Sequence, residues 1–222
     1  MGLRGDRMNK RIIVIGDVHG CAETLKLLIT KIQPTSKDRI IMLGDYFDRG
    51  PKSAEVYKYL QAMNSVWNCT FLKGNHEHMM VKAIRDNDDD LWMYNGGFYT
   101  KESFNNNPDI KFGEVINWAK DLPLWTESEK YYFVHAGLPY GNPEDNDEGD
   151  MVWDRQHIKN EHNIANKVIV FGHTPNCKPY KTKCGNICID SGCVYGEQLT
   201  AMIIDAKDED KYEFISIPCI DK

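Results

Sequence analysis

The sequence predicts an α/β fold with a mixed β-sheet system. Short apolar runs rich in β-branched residues alternate three times with helical patterns in the first 85 residues or so, which is typical of βα units. Further apolar runs follow in the second half, and the last three have no helix between them. Parallel pairing is therefore expected in the first half and antiparallel pairing near the C-terminal end.

The composition is that of a folded globular protein. Of the 222 residues, 41% are hydrophobic and 27% are charged, so a sizeable core can form without disulfides. The first seven residues are mainly charged residues and glycine, with two glycines among them. We predict an N-terminal tail over residues 1–9 and a single domain over residues 10–222.

Charge and cysteine usage restrict the function classes. The net charge of -6 opposes a general nucleic-acid-binding surface. No apolar run is long enough for a membrane span or a signal region, so a cytoplasmic location is expected. The seven cysteines form an odd set that favours reduced thiols. The spacings among Cys177, Cys184, Cys188 and Cys193 match none of the usual zinc patterns, and the role of the cysteines stays open.

The first three predicted strands each end next to a residue able to bind a ligand. The run from Arg11 to Gly16 leads to Asp17, and an amphipathic helix follows over Cys21 to Ile32. Two further βα steps repeat the pattern. Their strands are Arg39 to Leu43, which leads to Asp45, and Cys69 to Leu72, which leads to Asn75 and His76; helical spacing resumes after Pro51 and from Met79.

The second half is less regular. Leu91 to Pro108 mixes aromatics, glycines and asparagines without a clear period, so irregular structure or a cap is predicted there, followed by a helix over Phe112 to Leu122. Five strands are then predicted: Tyr131 to Val134 before His135, Val168 to Phe171 before His173, and the antiparallel runs Asn186 to Ile189, Leu199 to Ile204 and Tyr212 to Ile217.

Five strand ends therefore carry carboxylate, amide or imidazole donors. Ligands bind at the carboxyl ends of strands in open α/β sheets, so these donors are expected to converge. The mixed oxygen and nitrogen set suits Mn²⁺, Fe or Zn²⁺ better than Mg²⁺ or Ca²⁺. The predicted metal ligands are Asp17, His19, Asp45, Asn75, His135 and His173.

A second acid and an arginine follow Asp45 at short spacing. Asp48 and Arg49 could form a solvated turn held by an ion pair. In the functional interpretation Asp45 bridges two metals, and the planar guanidinium of Arg49 takes phosphate oxygens in a bidentate manner.

Together these motifs resemble the phosphoprotein phosphatase family of calcineurin-like metallophosphoesterases, in particular its compact bacterial and phage lambda-type members. The resemblance extends over roughly Arg11 to Leu199 and implies two mixed β-sheets in a sandwich flanked by helices. The motifs are Gly16-Asp17-Val18-His19-Gly20, Gly44-Asp45-Tyr46-Phe47-Asp48-Arg49-Gly50, Gly74-Asn75-His76-Glu77, His135-Ala136-Gly137 and Gly172-His173-Thr174.

The resemblance also implies individual roles. Asp17, His19 and Asp45 would hold one divalent cation, and Asp45, Asn75, His135 and His173 the other, with a bridging hydroxide as nucleophile. His76 would be the general acid, oriented by Asp48. Arg49 would bind the phosphoryl oxygens, and Val152-Trp153-Asp154-Arg155 resembles the segment that supplies a second arginine, Arg155. Two Mn²⁺ ions are expected, with Fe or Zn²⁺ as alternatives; His78, His157 and His162 are given no role.

Several functions remain compatible with these motifs. The first is a phosphatase acting on phosphoserine and phosphothreonine in proteins, with phosphotyrosine or a small phosphoester as a further substrate. The second is a symmetrical dinucleoside polyphosphate hydrolase acting on diadenosine tetraphosphate. A catalytically silent binding module would have lost ligand positions, and a nucleic-acid phosphodiesterase is opposed by the net charge and by Arg49. The oligomeric state and the physiological substrate are not predicted.

Overall fold

The computed structural model describes residues 10–221, so the predicted tail over residues 1–9 lies outside the described residues. Two five-stranded mixed sheets with flanking helices make up this part of the chain, and the predicted fold class is confirmed. The strands are β1 (Arg11–Ile15), β2 (Arg39–Met42), β3 (Asn68–Phe71), β4 (Trp125–Glu127), β5 (Tyr131–Val134), β6 (Val168–Phe171), β7 (Tyr180–Lys181), β8 (Ile187–Cys188), β9 (Gln198–Asp205) and β10 (Tyr212–Pro218).

The helices flank these strands, and three of them follow β1, β2 and β3 as predicted. Among residues 10–221, no helix has the length and apolar character needed to cross a bilayer. The α-helices are α1 (Ala22–Ile32), α2 (Ser53–Val66), α3 (Asn75–Asp86), α4 (Asp90–Trp92), α5 (Phe98–Asn105), α6 (Phe112–Lys120) and α7 (Glu148–Trp153).

Each sheet combines parallel and antiparallel neighbours. The first sheet has the order β10-β9-β1-β2-β3, and the second has the order β4-β5-β6-β8-β7. In the first, β1, β2 and β3 are parallel, while β9 and β10 are antiparallel as predicted. The antiparallel prediction for Asn186 to Ile189 is wrong in part, because β8 pairs in parallel with β6 and antiparallel only with the short strand β7.

The central strands are apolar on both faces because both faces are covered. Ile12 and Val14 of β1 pack with Tyr131 and Phe133 of β5 in the core between the two sheets. Alternate residues of β1 face the core beneath α1 and α2. A strand buried on both sides is a continuous apolar run, as the sequence of β1 shows.

The prediction of irregular structure over Leu91 to Pro108 is wrong. Helix α4 continues through a π-helical turn (Met93–Gly97) into α5. Trp92 is buried and stacks on Phe112, with ring centroids 6.3 Å apart, so aromatic residues anchor the segment to the core. Gly96 has a φ of 97°, which interrupts the helical period. The sequence pattern therefore did not reveal the two helices on either side of it.

Candidate dinuclear metal centre

The predicted ligands lie together where the carboxyl ends of strands from both sheets meet. Asp17 and His19 follow β1, Asp45 follows β2, and Asn75 is in the first turn of α3. The second sheet contributes His135 after β5 and His173 after β6. None of these six side chains belongs to a residue more than 5% exposed, so the centre is shielded from bulk water.

Asp45 is at the middle of this centre. Its Oδ2 lies 3.4 Å from His19 Nε2, and its Oδ1 lies 3.4 Å from His135 Nε2. Two groups of potential metal ligands, each with its donor atoms within 4.8 Å of one another, share this carboxylate: His19, Asp45 and His76, and Asp45, His135 and His173. Two adjacent cation positions with Asp45 between them are consistent with this geometry.

Asn75 and Asp17 complete the set from two sides. Asn75 Oδ1 lies 3.0 Å from His135 Nε2 and 2.8 Å from His173 Nδ1. Asp17 Oδ2 accepts a hydrogen bond from the His173 backbone N–H at 3.0 Å. Burial and the nearby Asp190 carboxylate raise the pKa of Asp17 well above its ordinary value, as expected of crowded buried carboxylates.

The backbone around these residues is strained. Left-handed φ values occur at His19 (45°), Asp45 (53°) and His173 (61°), and also at Asp48 (68°) and Arg49 (67°). Such conformations cost energy in residues that carry a Cβ and concentrate at functional sites.

Two glycines leave room for the carboxylates. A Cβ added at Gly74 would lie 2.1 Å from Asp45 Oδ1, and one added at Gly172 would lie 2.1 Å from Asp17 Oδ1. Gly74 and Gly172 are therefore required by contact with the side chains of predicted ligands.

The histidines are oriented in the way that metal ligands require. His19 Nδ1 donates to Phe47 O at 2.8 Å, and His135 Nδ1 donates to Leu43 O at 2.9 Å, so each Nε2 faces the centre. His173 Nε2 is buried and has no hydrogen-bond partner among the described residues. In His19 and His135 one ring nitrogen is thus held by a backbone carbonyl, while the other lies 3.4 Å from the Asp45 carboxylate.

The electrostatics of His135 also fit a cation. Burial lowers the pKa of His135, but the carboxylates of Asp45, Asp17 and Glu77 together outweigh burial and raise it to about 9. These carboxylates therefore favour a proton on His135 Nε2, which faces Asp45 Oδ1 at 3.4 Å. A divalent cation would take the place of that proton, so the residues present fit the metals that the sequence predicts.

His76 and Asp48 form a buried pair beside the centre. His76 Nδ1 donates to Asp48 Oδ2 at 2.7 Å, and Asp48 also accepts hydrogen bonds from Trp92 Nε1 at 2.9 Å and from Thr100 Oγ1 at 2.6 Å. His76 Nε2 is buried without a partner among the described residues and lies 4.0 Å from Asp45 Oδ2. The imidazole is thus fixed by Asp48, with one nitrogen directed at the centre.

The two predicted arginines have different environments. Arg49 is half-buried, and its Nη1 donates to His19 Nε2 at 2.7 Å. Its guanidinium carbon lies 5.8 Å from the centroid of the Tyr195 ring and borders a cavity of about 400 Å³ that Tyr94 and Tyr99 also line. Arg155 is exposed and donates to His173 O at 3.3 Å, so both arginines lie next to the predicted ligands.

Sequence reasoning missed the role of Glu77. This carboxylate is fully buried and accepts hydrogen bonds from the backbone N–H groups of Asp45 (2.8 Å), Tyr46 (2.9 Å) and Gly74 (3.1 Å). Burial and Asp45 raise its pKa to about 7. The available signal was the spacing from Gly74 to Glu77, which is that of a helix capping box.

The histidines without a predicted role lie apart from the ligand groups. His157 is buried against Phe171, with ring centroids 4.6 Å apart, and its Nδ1 donates to Asp154 at 2.6 Å. His78 pairs with Glu148 at 2.9 Å, and His162 is exposed.

Two mixed sheets that enclose a buried group of carboxylates, imidazoles and an amide define a metal-dependent hydrolase. The chain belongs to the calcineurin-like phosphoesterase family, whose family model matches residues 10–208. This membership confirms the predicted resemblance and makes the chain a metallophosphoesterase.

Relatives carry different substrate names. The chain is 30% identical over 203 residues to serine/threonine-protein phosphatase 2 of Salmonella typhimurium, covering 82% of this chain and 88% of the relative. It is 28% identical over 241 residues to the asymmetrical bis(5'-nucleosyl)-tetraphosphatase PrpE of Oceanobacillus iheyensis, covering 93% and 92%. The structure of a protein serine/threonine phosphatase from Saccharomyces cerevisiae superposes with a TM-score of 0.69 at 17% identity, covering 99% of this chain and 82% of that one, which demonstrates a shared fold.

Proposed function

We propose that the chain is a serine/threonine protein phosphatase that hydrolyses phosphoserine and phosphothreonine in proteins, with phosphotyrosine as a further substrate. The observation that carries this proposal is the buried His76 and Asp48 pair next to the two Asp45-centred ligand groups, with Arg49 on the same side. One acid and one guanidinium beside a dinuclear centre suit the cleavage of a phosphomonoester. The similarity to the Salmonella phosphatase supports the protein substrate.

The proposed ligand sets follow the geometry around Asp45. Asp17, His19 and Asp45 would hold one cation, and Asp45, Asn75, His135 and His173 the other. Mn²⁺ is the proposed metal, with Fe or Zn²⁺ as alternatives that the same donors accept. When bound, two such cations supply Lewis-acid charge and lower the pKa of water for attack on phosphorus.

The residues of the chain would do the remaining work. Asp48 holds the imidazole of His76 through Nδ1, so that a proton on Nε2 would pass to the leaving oxygen. Arg49 and Arg155 bind the phosphoryl oxygens and neutralise charge as it develops. The buried setting of the ligands strengthens these interactions because little water is present to screen them.

The second candidate is a dinucleoside polyphosphate hydrolase. The sequence predicts the symmetrical type, and the similarity to a bis(5'-nucleosyl)-tetraphosphatase over 93% of the chain favours this class of substrate. The exposed rings of Tyr94 and Tyr195 beside Arg49 could also stack on a base.

A substrate comparison separates the two candidates. The Mn²⁺-loaded protein would be assayed on a phosphothreonine peptide, on diadenosine tetraphosphate and on a simple phosphodiester, with kcat/KM measured for each. The proposal expects the peptide to have the highest value. A higher value for diadenosine tetraphosphate would favour the second candidate, and a higher value for the phosphodiester would contradict both.

His76→Asn tests the acid role. The side chain is shortened and loses the Nε2 proton, so turnover is expected to fall by about 10²–10⁴-fold while two metals per chain remain bound. Because His76 is also in one potential ligand group with His19 and Asp45, metal analysis of the variant is decisive. Loss of one metal from the variant would make His76 a ligand and contradict the acid role; His162→Asn, on the exposed surface, is the matched control.

A further inference from the structure

Three cysteines from distant parts of the chain meet beside the N-terminus of α1. Cys21 precedes α1, Cys193 begins a 3₁₀ turn (Cys193–Tyr195), and Cys219 follows β10. The three Sγ atoms lie within 4.8 Å of one another. Cys21 and Cys193 are buried and Cys219 is half-buried, so the group can be reached from one side; we call it the thiol cluster.

The thiol cluster lies outside the metal centre described above. The potential ligand groups of that centre contain oxygen and nitrogen donors only. The nearest link is the sulfur of Cys21, which donates to the backbone oxygen of His19 at 3.6 Å. None of the seven cysteines, all of which are in the described part of the chain, forms a disulfide.

The position of the third thiol does not depend on sulfur contacts. The Asp221 carboxylate accepts hydrogen bonds from Glu23 N at 3.1 Å and Thr24 N at 2.9 Å, which ties the C-terminal segment to the first turn of α1. Cys219 N donates to Glu197 O at 2.8 Å. The backbone therefore holds the three thiols close together before any ligand arrives, and this lowers the cost of binding one.

The local charges are mixed. Cys21 is at the N-cap of α1, close to two acidic side chains. Lys52 Nζ lies 3.3 Å from Asp221 Oδ1 and 3.8 Å from Glu23 Oε1, so one cationic side chain faces two carboxylates there. Lys26 Nζ also pairs with Glu23, at 2.9 Å, so two lysines balance the two carboxylates and the thiolates themselves would supply the negative charge that a bound cation needs.

We propose that the thiol cluster is a binding site for a thiophilic cation such as Zn²⁺, held by Cys21, Cys193 and Cys219. Thiolate ligands select Zn²⁺ and Cu⁺ over Mn²⁺ and Mg²⁺, so this site and the metal centre bind different ions. A cation bound there would link three parts of the chain. They are the loop after β1, the turn that carries Tyr195, and the C-terminal segment. The cation thereby stiffens the turn whose Tyr195 ring lies near Arg49.

Cadmium spectroscopy tests the proposal without reference to activity. The reduced protein, first loaded with Mn²⁺, would be titrated with Cd²⁺ while the sulfur-to-cadmium charge-transfer band in the ultraviolet is recorded. Because the metal centre has no sulfur donor, only cysteines contribute to this band. We expect it to saturate at one Cd²⁺ per chain, to disappear when Zn²⁺ is added in excess, and to leave the Mn²⁺ content unchanged.

Cysteine variants assign the band to the thiol cluster. Cys219→Ser, at the half-buried position, is expected to lose the band, and so is Cys193→Ala, which avoids a buried hydroxyl. Cys177→Ser, at an exposed cysteine outside the cluster, is the matched control and keeps it. Melting curves of the Mn²⁺-loaded variants verify that each is folded. Absence of the band in the reduced protein, or its persistence in both cluster variants, would overturn the proposal and leave the three thiols as core packing.

Discussion

At the scale of single residues, the contact between Gly74 and Asp45 leaves no room for a side chain at position 74. In Gly74→Ala the new Cβ would lie 2.1 Å from Asp45 Oδ1 and 2.4 Å from Asp45 N, so the carboxylate must move. Displacement of a ligand by about 1 Å can cost a hundredfold in rate, and we expect a loss of at least about that size together with weaker metal binding.

Gly113→Ala is the matched control for this substitution. Gly113 is in helix α6 and a Cβ there would meet no atom within 4 Å. Alanine should stabilise the helix by about 0.5–1 kcal/mol and leave turnover unchanged. Full activity and normal metal content in Gly74→Ala, measured beside this control, would show that the close approach has no functional consequence.

A second residue-scale prediction concerns Asp38 and pH. Burial raises the pKa of this carboxyl, but hydrogen bonds from Arg11 (2.7 Å) and Thr35 N (2.8 Å) outweigh burial and hold the pKa below its ordinary value. Asp38→Asn should therefore lower the free energy of unfolding by about 2 kcal/mol at pH 7.

The pH dependence of that loss has a definite sign. A carboxyl with a lowered folded-state pKa contributes stability above its unfolded pKa of about 3.9, and the contribution disappears as the pH falls through the folded value. The difference between wild type and Asp38→Asn in urea unfolding should be constant above about pH 5 and shrink below about pH 4. The exposed Asp145→Asn is the control, and a difference that grows in acid would contradict the assignment.

Sequence reasoning proposed as ligands those residues whose type and place at a strand end carry the signal, and the structure brings them together. Asp17, Asp45 and His135 are such cases, because a polar ligand directly after a buried strand is unusual. Glu77 and Asp190 were not assigned roles, since their partners come from other segments and become visible only in the fold. The thiol cluster was missed for the same reason, because its members are up to 198 residues apart in the chain.

At the scale of elements, the strands were easier to predict than the helices around the site. Strands β5 and β6 have the predicted bounds because each is an apolar run limited by polar residues. Helix α3 begins at Asn75, four residues before the predicted spacing from Met79, because its first turn carries polar site residues instead of an apolar face. The polar site residues thus replace the apolar positions by which the first turn of the helix would be recognised in the sequence.

Helix α5 supports the site through a contact with Asp48. Its Thr100 hydroxyl is fully buried, accepts from Asp48 N at 2.8 Å and donates to Asp48 Oδ1 at 2.6 Å. Thr100→Val keeps the shape of the side chain and leaves both Asp48 groups without this partner. We expect a loss of about 2 kcal/mol in unfolding free energy and a fall in kcat, because Asp48 orients His76.

Thr30→Val is the control for this experiment. Thr30 is exposed on α1 and its hydroxyl bonds only the Lys26 carbonyl oxygen, at 2.8 Å. The same chemical change there should leave both kcat and stability near the wild-type values. If Thr100→Val lost stability but kept its kcat, the link from α5 through Asp48 to His76 would be wrong.

At the scale of the whole molecule, the candidate metal centre combines residues of both sheets. The sequence predicted that five strand ends converge, but not that three belong to one sheet and two to the other. That division depends on strand pairings such as Arg11 with Asp205. These residues are far apart in the chain, so no local sequence pattern indicates that they pair. His135 and His173 therefore reach across an interface between sheets to the ligands of the first sheet.

This arrangement predicts that metal binding stabilises the whole fold. A cation bound only in the native state adds about 2.7 kcal/mol when its free concentration is 100 times Kd, which for a chain of this size raises Tm by about 5–10 °C. Chelation should lower Tm by that amount, since the buried carboxylates Asp17, Asp45 and Asp190 then lose their compensating charge. Calorimetry with and without Mn²⁺ measures the shift.

His135→Ala removes a predicted ligand from the second sheet and should abolish most of this Mn²⁺-dependent shift in Tm, whereas the exposed His162→Ala should retain it. An equal Mn²⁺-dependent shift in both variants would mean that His135 does not contribute to the link between the sheets.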